Sequence, residues 1–320
     1  MMNDPSLRQL RYFEAVARYG HFGQAADACA ISQPALSMQI KALEETLGAA
    51  VFERSSRQVR LTRFGEEFAL RVREILRAVD ELGNLARASH DHLSGPLRLG
   101  VIPTIAPYML PAIIRDVTRF RPELDLHVRE TVTATLIREL TDGRIDAAIV
   151  ALPVSEPSLT EVALFQEEFL LVRPVADADR PIPDAETLRH MRLLLLEEGH
   201  CFREQALAFC NLRASRPREM LEGSSLSTLV QMVGAGIGVT LIPEMAVPVE
   251  TRSTAVAVSR FGAPQPSRTI GMIWRRTNPL ASKFEQIAQV VRACSTAETH
   301  RDPTRAAEPS DDSLHSRSAT

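Results

Sequence analysis

Residues 32–48 read SQPALSMQIKALEETLG, and this stretch decides how the amino-terminal part of the chain folds. Ser32 is a good N-cap, Pro34 is tolerated in the first helical turn, and Gly48 provides a stop. Two shorter segments upstream carry apolar residues at helical spacing. Their markers are Leu10, Phe13, Val16 and Ala17 in the first and Phe22, Ala25, Ala26 and Cys29 in the second. Two short helices joined by a turn, the second well capped, predict a helix-turn-helix.

A wing and a long helix are predicted directly after this motif. Short extended runs at 51–54 and 58–61 flank Ser55-Ser56-Arg57 and indicate a small hairpin. Thr62 then caps a helix of several turns whose apolar stripe comprises Phe64, Phe68, Leu70, Val72, Ile75, Leu76, Val79, Leu82 and Leu85. An apolar stripe of this length needs a partner, and a second copy of the chain is the simplest one.

The pattern changes after a linker at Ser94-Gly95-Pro96. Apolar runs at 97–102, 125–130, 146–152, 168–175, 193–196, 238–242 and 269–274 predict strands, and helical spacing is seen at 108–119, 133–140, 225–233 and 279–294. Alternating strands and helices predict an α/β domain with a largely parallel sheet. We therefore expect a DNA-binding domain at 1–62, a dimerisation helix at 63–93, an effector domain at 94–294 and a disordered tail at 295–320.

Polar side chains on the third predicted helix have the chemistry needed to contact DNA. Amide and hydroxyl groups of this kind reach base edges in the major groove, and the arginines of the wing suit the phosphate backbone. The candidate DNA-binding residues are Ser32, Gln33, Pro34, Ser37, Gln39, Arg54 and Arg57.

The composition indicates a folded protein with more than one domain. The chain has 320 residues, and its formal net charge of −3 by itself favours no class of partner. It has neither a secretory leader pattern nor the roughly 18 uninterrupted apolar residues that span a bilayer. We therefore expect a cytoplasmic protein without membrane contact, in which a disulfide would act as a signal and not as a structural link.

Two of the four cysteines, Cys201 and Cys210, lie nine positions apart. His200 and Arg203 flank the first thiol, and nearby positive charge or hydrogen bonding lowers the pKa of a thiol toward the reactive thiolate form. The second thiol would then be placed to resolve the oxidised first one. Alternatively, both are small buried hydrophobic residues, as most unpaired cysteines are. The spacing alone leaves both interpretations open.

Two other patterns do not predict a cofactor or a metal. Gly234-Ala235-Gly236-Ile237-Gly238 resembles a dinucleotide-binding loop, but the order here is helix, glycines, strand, whereas phosphate binding needs strand, glycines, helix. It is predicted to be a turn. Cys201, Cys210 and His200 lack a fourth ligand at zinc spacing. We expect no bound cofactor and no metal.

The amino-terminal sequence resembles the DNA-binding domain of LysR-type transcriptional regulators. The resemblance is carried by residues 10–13 (LRYF), 22–26 (FGQAA), 32–40 (SQPALSMQI), 43–44, 47–48 and 52–54 (FER). It implies an α+β multidomain protein: a winged helix-turn-helix, a long dimerisation helix and a periplasmic-binding-protein-like α/β effector domain of two subdomains. It also implies a transcription regulator and not an enzyme.

Within that family, the chain is similar to the hydrogen peroxide sensors. Residues 103–108 (PTIAPY), 196–201 (LEEGHC), Arg203, 205–206, 209–210 and 268–271 (RTIG) carry this similarity. By resemblance, Cys201 is the peroxide-reactive thiol and Cys210 the resolving thiol, and the peroxide pocket contains Thr104, Thr133, His200 and Arg268. The implied partners are promoter DNA, further copies of the chain as a dimer of dimers, hydrogen peroxide, a glutaredoxin or thioredoxin as reductant, and RNA polymerase.

The resemblance implies an activator switched by a reversible bridge between Cys201 and Cys210. If the segment between them starts as a helix, its nine residues rise about 13 Å, whereas a disulfide needs Cα atoms about 4.4 to 6.8 Å apart. The segment must then remodel before the bridge forms. Two alternatives remain at this stage: a LysR-type regulator of a small anionic metabolite with incidental cysteines, and a thiol peroxidase.

Overall fold

The computed structural model describes residues 4–53, 59–89, 93–210 and 221–299, with side chains up to residue 294. Its amino-terminal unit contains α1 (Leu7–Tyr19), α2 (Phe22–Ala28) and α3 (Gln33–Leu47). Ser32 caps α3, because its Oγ accepts a hydrogen bond from the N–H of Ala35 at 3.4 Å. Gly48 ends α3 with a φ of 66°, a conformation that glycine adopts without steric conflict. The predicted helix-turn-helix is confirmed.

Aromatic rings join the wing and the long helix to the same core. Phe13 of α1 is fully buried, and its ring centroid lies 5.3 Å from that of Phe52 and 5.0 Å from that of Phe68. Phe52 and Leu61 pair as antiparallel wing strands, while the tip at 54–58 lies outside the described residues. The helix-turn-helix unit therefore depends on packing from the helix that follows it.

That helix is α4 (Arg63–Ala88), capped as predicted by Thr62, whose Oγ1 accepts from the N–H of Gly65 at 2.9 Å. One side carries exposed apolar residues: Phe64, Leu70, Ile75, Leu82 and Leu85. The opposite side contacts the rest of the chain, since Arg77 donates to the carbonyl oxygen of Thr141 at 3.3 Å. These five residues of the predicted stripe are exposed in a single copy of the chain, whereas Val72 is buried and Phe68 and Leu76 pack against the core of the helix-turn-helix unit.

The remaining part of the chain is an α/β unit. Its strands are β1 (Gly95–Val101), β2 (Leu124–Glu130), β3 (Ala147–Leu152), β4 (Leu159–Pro174), β5 (Leu194–Leu196), β6 (Leu221–Gly223), β7 (Thr240–Pro243), β8 (Val256–Ser259) and β9 (Ser267–Arg275). Its helices are α5 (Ala106–Phe120), α6 (Thr133–Thr141), α7 (Ala185–Leu188), α8 (Cys201–Phe209), α9 (Leu226–Gly234), α10 (Val247–Glu250) and α11 (Ala281–Thr299). The glycine-rich stretch joins α9 to β7 and is a turn, as predicted.

The prediction of a largely parallel sheet was wrong. The strand order is β2-β1-β3-β9-β4-β7, with β8 also paired to β4. Within this described sheet, β1 pairs in parallel with β2 and β3, whereas β9 and β4 are antiparallel to their neighbours. The reason is that β4 and β9 pair across about a hundred residues of sequence, which a local alternation of strands and helices does not reveal. β5 and β6 form a separate two-stranded parallel sheet.

Three boundaries also differ from the prediction. β4 begins at Leu159 and not near residue 168, because its first half is only partly buried and its apolar run starts at Phe169. β1 begins at Gly95, inside the stretch expected to be a linker. α11 continues to Thr299, so residues 295–299 are helical and not part of a disordered tail; the rest of that predicted tail, 300–320, lies outside the described residues.

Two separate apolar cores confirm the two predicted subdomains. The first contains Leu97, Ile149, Trp274 and Phe284, and the second contains Leu171, Leu195, Val230 and Ile242. β4 passes from one core to the other: its first part pairs with β9 and its last part with β7 and β8. Over the described residues, no helix combines the length and apolar character needed to cross a membrane.

Candidate functional site

Cys201 lies where the two subdomains meet. It is the first residue of α8 and follows Gly199, whose φ of +94° turns the chain into the helix. A Cβ on Gly199 would lie 3.8 Å from a methyl group of Val132, so this turn rests against the start of α6 in the first subdomain. Cys201 is half-buried and packs against the first core, whereas Phe202 belongs to the second. The thiol therefore faces the cleft from one side.

Cys210 has the opposite environment. It follows the last residue of α8 and is fully buried in the second core. Burial raises the pKa of the Cys210 thiol to about 11, so at neutral pH it is a protonated, weakly nucleophilic thiol. An α-helix rises about 1.5 Å per residue, which separates the two ends of α8 by roughly 13 Å. This helix confirms the geometric conflict expected between the two thiols.

Arg268 is the central polar group of the cleft. It is buried at the start of β9, and its Nη1 and Nη2 donate to the side-chain and backbone oxygens of Thr104 at 2.8 and 3.1 Å. Its Nε donates to Glu167 at 2.8 Å, and its charge lies 5.4 Å from the centre of the Phe202 ring. Since the Thr104 hydroxyl accepts from Arg268, its own hydrogen can be donated to a ligand.

The ion pair between Arg268 and Glu167 is almost completely buried. Burial raises the pKa of Glu167, and the charge of Arg268 together with the backbone N–H of Met245 opposes that shift. Removing one partner would leave the other as an unpaired buried charge, which is strongly destabilising. The pair thus fixes the guanidinium between the two subdomains.

Two buried polar atoms near the thiol have no hydrogen-bond partner among the described residues: Oγ1 of Thr133 and Oε1 of Gln205. Thr133 begins α6, directly after Val132, which the Cys201 turn contacts. Gln205 lies four residues after Cys201 and therefore on the same face of α8. An unsatisfied buried polar group costs about 1–3 kcal/mol, so each of these two atoms would be stabilised by a hydrogen bond to a small polar molecule. Gln205 was part of the family resemblance but was not predicted as a pocket residue, although its spacing of four from Cys201 is visible in the sequence.

The expected activation of Cys201 by His200 and Arg203 needs correction. Arg203 is buried and donates to the carbonyl oxygen of Leu196, and it pairs with Glu222, each at 2.8 Å. Burial lowers the pKa of His200, with Glu197 acting in the opposite direction, so the imidazole is neutral at pH 7. The amino-terminal end of α8 instead favours negative charge at the Cys201 position, because its first N–H groups point there.

The predicted DNA-binding residues on α3 lie at the surface. Ser32, Gln33, Pro34, Ser37 and Gln39 are all exposed, whereas Leu36, Ile40 and Leu43 form the buried side of the helix. Gln33, Ser37 and Lys41 share a face because they are four residues apart. The Ser32 oxygen caps α3, and its hydroxyl hydrogen can still be donated to a phosphate. Arg54 and Arg57 lie outside the described residues.

In the described part of the chain, no three His, Cys, Asp or Glu residues lie together in a way that could hold a metal ion. The neighbours of Cys201 in sequence and across the cleft include hydroxyl, amide, imidazole and guanidinium groups. Such a set binds a small neutral or weakly acidic molecule through hydrogen bonds.

Two family models match the chain. Residues 7–66 match the bacterial regulatory helix-turn-helix protein model of the LysR family, and residues 90–294 match the LysR substrate binding domain. Among curated relatives, a probable hydrogen peroxide-inducible genes activator from Streptomyces viridosporus is 44% identical over 90% of this chain and 94% of its own. The DNA-binding transcriptional dual regulator OxyR of Escherichia coli is 40% identical over 90% and 95%.

Solved structures give the same result. Full-length OxyR from Pseudomonas aeruginosa, in a cysteine-to-aspartate variant, has a TM-score of 0.73 at 36% identity and covers 92% of this chain and 96% of its own. A hydrogen-peroxide-bound cysteine-to-serine variant of OxyR from Corynebacterium glutamicum has a TM-score of 0.63 at 35% identity, covering 93% and 94%. The similarity therefore extends over both the DNA-binding and the two-subdomain parts.

Proposed function

The chain belongs to the LysR family of bacterial transcriptional regulators, and on this premise we propose that it is a DNA-binding regulator, mainly an activator, that responds to hydrogen peroxide. LysR proteins are transcription regulators and not a class of enzymes. The observation that carries the proposal is the position of Cys201 at the start of α8, in a cleft with buried polar atoms that lack partners among the described residues.

In the proposed reaction, peroxide binds between the two subdomains. Thr104 donates its hydroxyl hydrogen, Thr133 and Gln205 bond the other end of the molecule, and Arg268 holds Thr104 in place. His200, neutral and half-buried beside Cys201, borders the same pocket. These groups orient one peroxide oxygen toward the sulfur and stabilise the departing oxygen.

The chemistry consists of two balanced steps. The Cys201 thiolate attacks one peroxide oxygen, the O–O bond breaks, and hydroxide leaves, which gives a sulfenic acid. The Cys210 thiol then attacks that sulfur, an S–S bond forms, and water leaves. Both sulfurs are oxidised, and one peroxide is reduced to two waters. A thiol reductant, glutaredoxin or thioredoxin in our proposal, reverses the bridge by exchange.

The bridge cannot form while α8 is intact, since the two ends of the helix are roughly 13 Å apart. Oxidation must therefore unwind α8 and withdraw Cys210 from the second core. A bridge that closes so short a loop stabilises the folded protein by about 2 to 3 kcal/mol, because it reduces the conformational entropy of the unfolded chain. The helix and core contacts that are lost on bridging reduce that gain. The resulting bridge is labile enough to be reduced again.

Unwinding of α8 would change the surface that one subunit presents to another. We propose that two copies pair through the exposed stripe of α4 and that two such pairs form a dimer of dimers. A shift between pairs would alter the spacing of the helix-turn-helix units on promoter DNA and their contact with RNA polymerase. In this proposal the protein acts in the cytoplasm.

Mass spectrometry and DNA footprinting together test the proposal. Peroxide-treated protein should contain a Cys201–Cys210 bridge, and the footprint on one promoter should differ between the reduced and oxidised forms. Cys201→Ser should remove both effects. Cys29→Ser is the matched control, because Cys29 is also a half-buried thiol but lies in the helix-turn-helix unit. An unchanged footprint response in Cys201→Ser would refute the proposal.

A further inference from the structure

A second polar cluster joins the two subdomains, apart from the peroxide-binding residues proposed above. The hydroxyl of Tyr108 donates to Oε1 of Glu250 at 2.6 Å, and the hydroxyl of Ser227 donates to Oε2 of the same carboxylate at 2.6 Å. Glu250 is buried, with 9% of its surface exposed. One buried carboxylate therefore accepts two short hydrogen bonds from two other elements.

The three residues come from opposite sides of the cleft. Tyr108 is on α5, a helix whose buried face belongs to the first core, yet its ring packs against the second core. Glu250 ends α10 and Ser227 is on α9, both in the second subdomain. The Tyr108–Glu250 hydrogen bond thus links the subdomains directly.

Both oxygens of the Glu250 carboxylate accept a hydrogen bond from a hydroxyl group, as the oxygens of a bound carboxylate ligand would. Burial and the hydrogen bond to Glu250 raise the pKa of Tyr108, so its phenol stays protonated and continues to donate. Hydrogen bonds to an ionised acceptor are about twice as strong as those between neutral groups. In this chain the carboxylate is supplied by the protein itself.

We propose that Glu250 is a positioning residue for the peroxide site: its carboxylate closes the cleft by accepting from Tyr108 of the first subdomain and Ser227 of the second. The proposal rests on the proposed function for its kinetic part.

The peroxide site needs this closure because its residues are divided between the subdomains. Thr104 and Thr133 belong to the first subdomain. Cys201 and Gln205 are carried by α8, a helix whose buried face packs in the core of the second subdomain. A displacement of about 1 Å between reacting groups can lower a rate by about 100-fold. Loosening the cleft should therefore slow the oxidation of Cys201 without touching any peroxide-binding group.

The test measures the second-order rate constant for peroxide oxidation of Cys201 in the full-length chain, well below the unfolding temperature. Glu250→Ala should slow the reaction about 10- to 100-fold, and sodium acetate should restore most of the rate by filling the vacated position. Tyr108→Phe, which removes one hydroxyl, should slow it by a smaller factor. Glu186→Ala, an exposed glutamate on α7, is the control and should match the parent chain with and without acetate.

A second readout does not depend on peroxide chemistry. Acetate should raise the thermal unfolding midpoint of Glu250→Ala by about 2 to 4 °C and leave that of the parent chain unchanged. If Glu250→Ala does not fold, the rate of Cys201 oxidation in Tyr108→Phe tests whether the link affects the peroxide site. Parent-like rates in Tyr108→Phe and Glu250→Ala, or no effect of acetate on the rate and midpoint of Glu250→Ala, would overturn the inference. A parent chain whose Cys201 does not react with peroxide refutes the proposed function instead, and the acetate-dependent midpoint still tests the link.

Discussion

The two ends of α8 place the same functional group in opposite surroundings. At the amino-terminal end, Cys201 is half-buried in a polar cleft and faces the first subdomain. At the carboxyl-terminal end, Cys210 is fully buried among apolar side chains of the second core. The reactivity of these thiols therefore depends on where the helix places them, since the sequence supplies two chemically identical groups.

This difference also sets the order of events in the proposed mechanism. The half-buried end can meet peroxide while the structure is intact, because the cleft already contains the hydrogen-bonding groups. The buried end becomes reactive only after the helix opens, because burial keeps its thiol protonated. After Cys201 is oxidised, the bridge can form only if α8 unwinds and Cys210 leaves the second core.

The largest expected effect comes from exchanging the sulfur at either end. Cys201→Ser should abolish reaction with peroxide, because the attacking thiolate is gone. Cys210→Ser should still react once and stop at a sulfenic acid, because the resolving thiol is missing. Trapping with a sulfenic-acid probe and measuring intact mass distinguishes the two. Equal trapping of sulfenic acid in both variants would contradict the assignment of Cys201 as the reactive thiol and Cys210 as the resolving thiol.

The next effect concerns the arginine that anchors the cleft end. Arg268→Met should lower the free energy of unfolding by roughly 3 to 5 kcal/mol, because Glu167 is left as an unpaired buried charge. The double variant Arg268→Met/Glu167→Met should regain most of that stability but not the rate of Cys201 oxidation. Chemical denaturation and stopped-flow kinetics check the two parts. Recovery of the rate in the double variant would show that Arg268 has only a structural role.

The third prediction concerns the pH dependence of stability that arises from the buried thiol of Cys210. Because the folded state raises the pKa of Cys210 from 9.0 to about 11, folding favours the protonated thiol. This contribution is fully present below pH 9 and is lost as the pH rises to about 11, by roughly 2 to 3 kcal/mol. Cys210→Ala should therefore lose less stability between pH 9 and 11 than the parent chain.

Denaturation curves at several pH values measure that difference. The control is Leu207→Ala, which removes apolar contacts from the same core without removing a titratable group. The difference in the free energy of unfolding between Leu207→Ala and the parent chain should be the same at each pH. An identical pH dependence in Cys210→Ala and the parent chain would contradict the assigned environment of the thiol.

The smallest effect is expected at the two unpartnered polar atoms of the cleft end. Thr133→Val and Gln205→Leu should each slow Cys201 oxidation by about tenfold, because one hydrogen bond to peroxide is lost. Neither should reduce stability, since each removes a buried group that has no partner within the described structure. Thr240→Val is the contrast: its hydroxyl donates to Leu194, and its loss should destabilise the chain. Slower oxidation accompanied by equal destabilisation in all three would contradict the assignment.

Local features of the sequence were sufficient for much of the fold. The caps at Ser32, Thr62 and Gly48 act within one helical turn, so their spacing predicted α3 and the start of α4. The antiparallel pairing of β4 with β9 was not predictable in this way, because it joins residues about a hundred positions apart.

The candidate site shows the same limit. Cys201 and Cys210 were visible as a spaced pair, and family resemblance indicated Thr104 and Arg268, which the structure brings into contact across 164 residues. The pairing of Arg203 with Glu222 and the burial of Glu250 were not predictable, because both depend on how separate elements pack.

The most direct test of the central claim is hydrogen exchange of the α8 amides in reduced and peroxide-treated protein, with the bridge checked by mass spectrometry in the same samples. The account predicts protected amides in the reduced form and in peroxide-treated Cys210→Ser. It predicts loss of that protection wherever the Cys201–Cys210 bridge is present. A bridged protein whose α8 amides remain as protected as in the reduced form would contradict it.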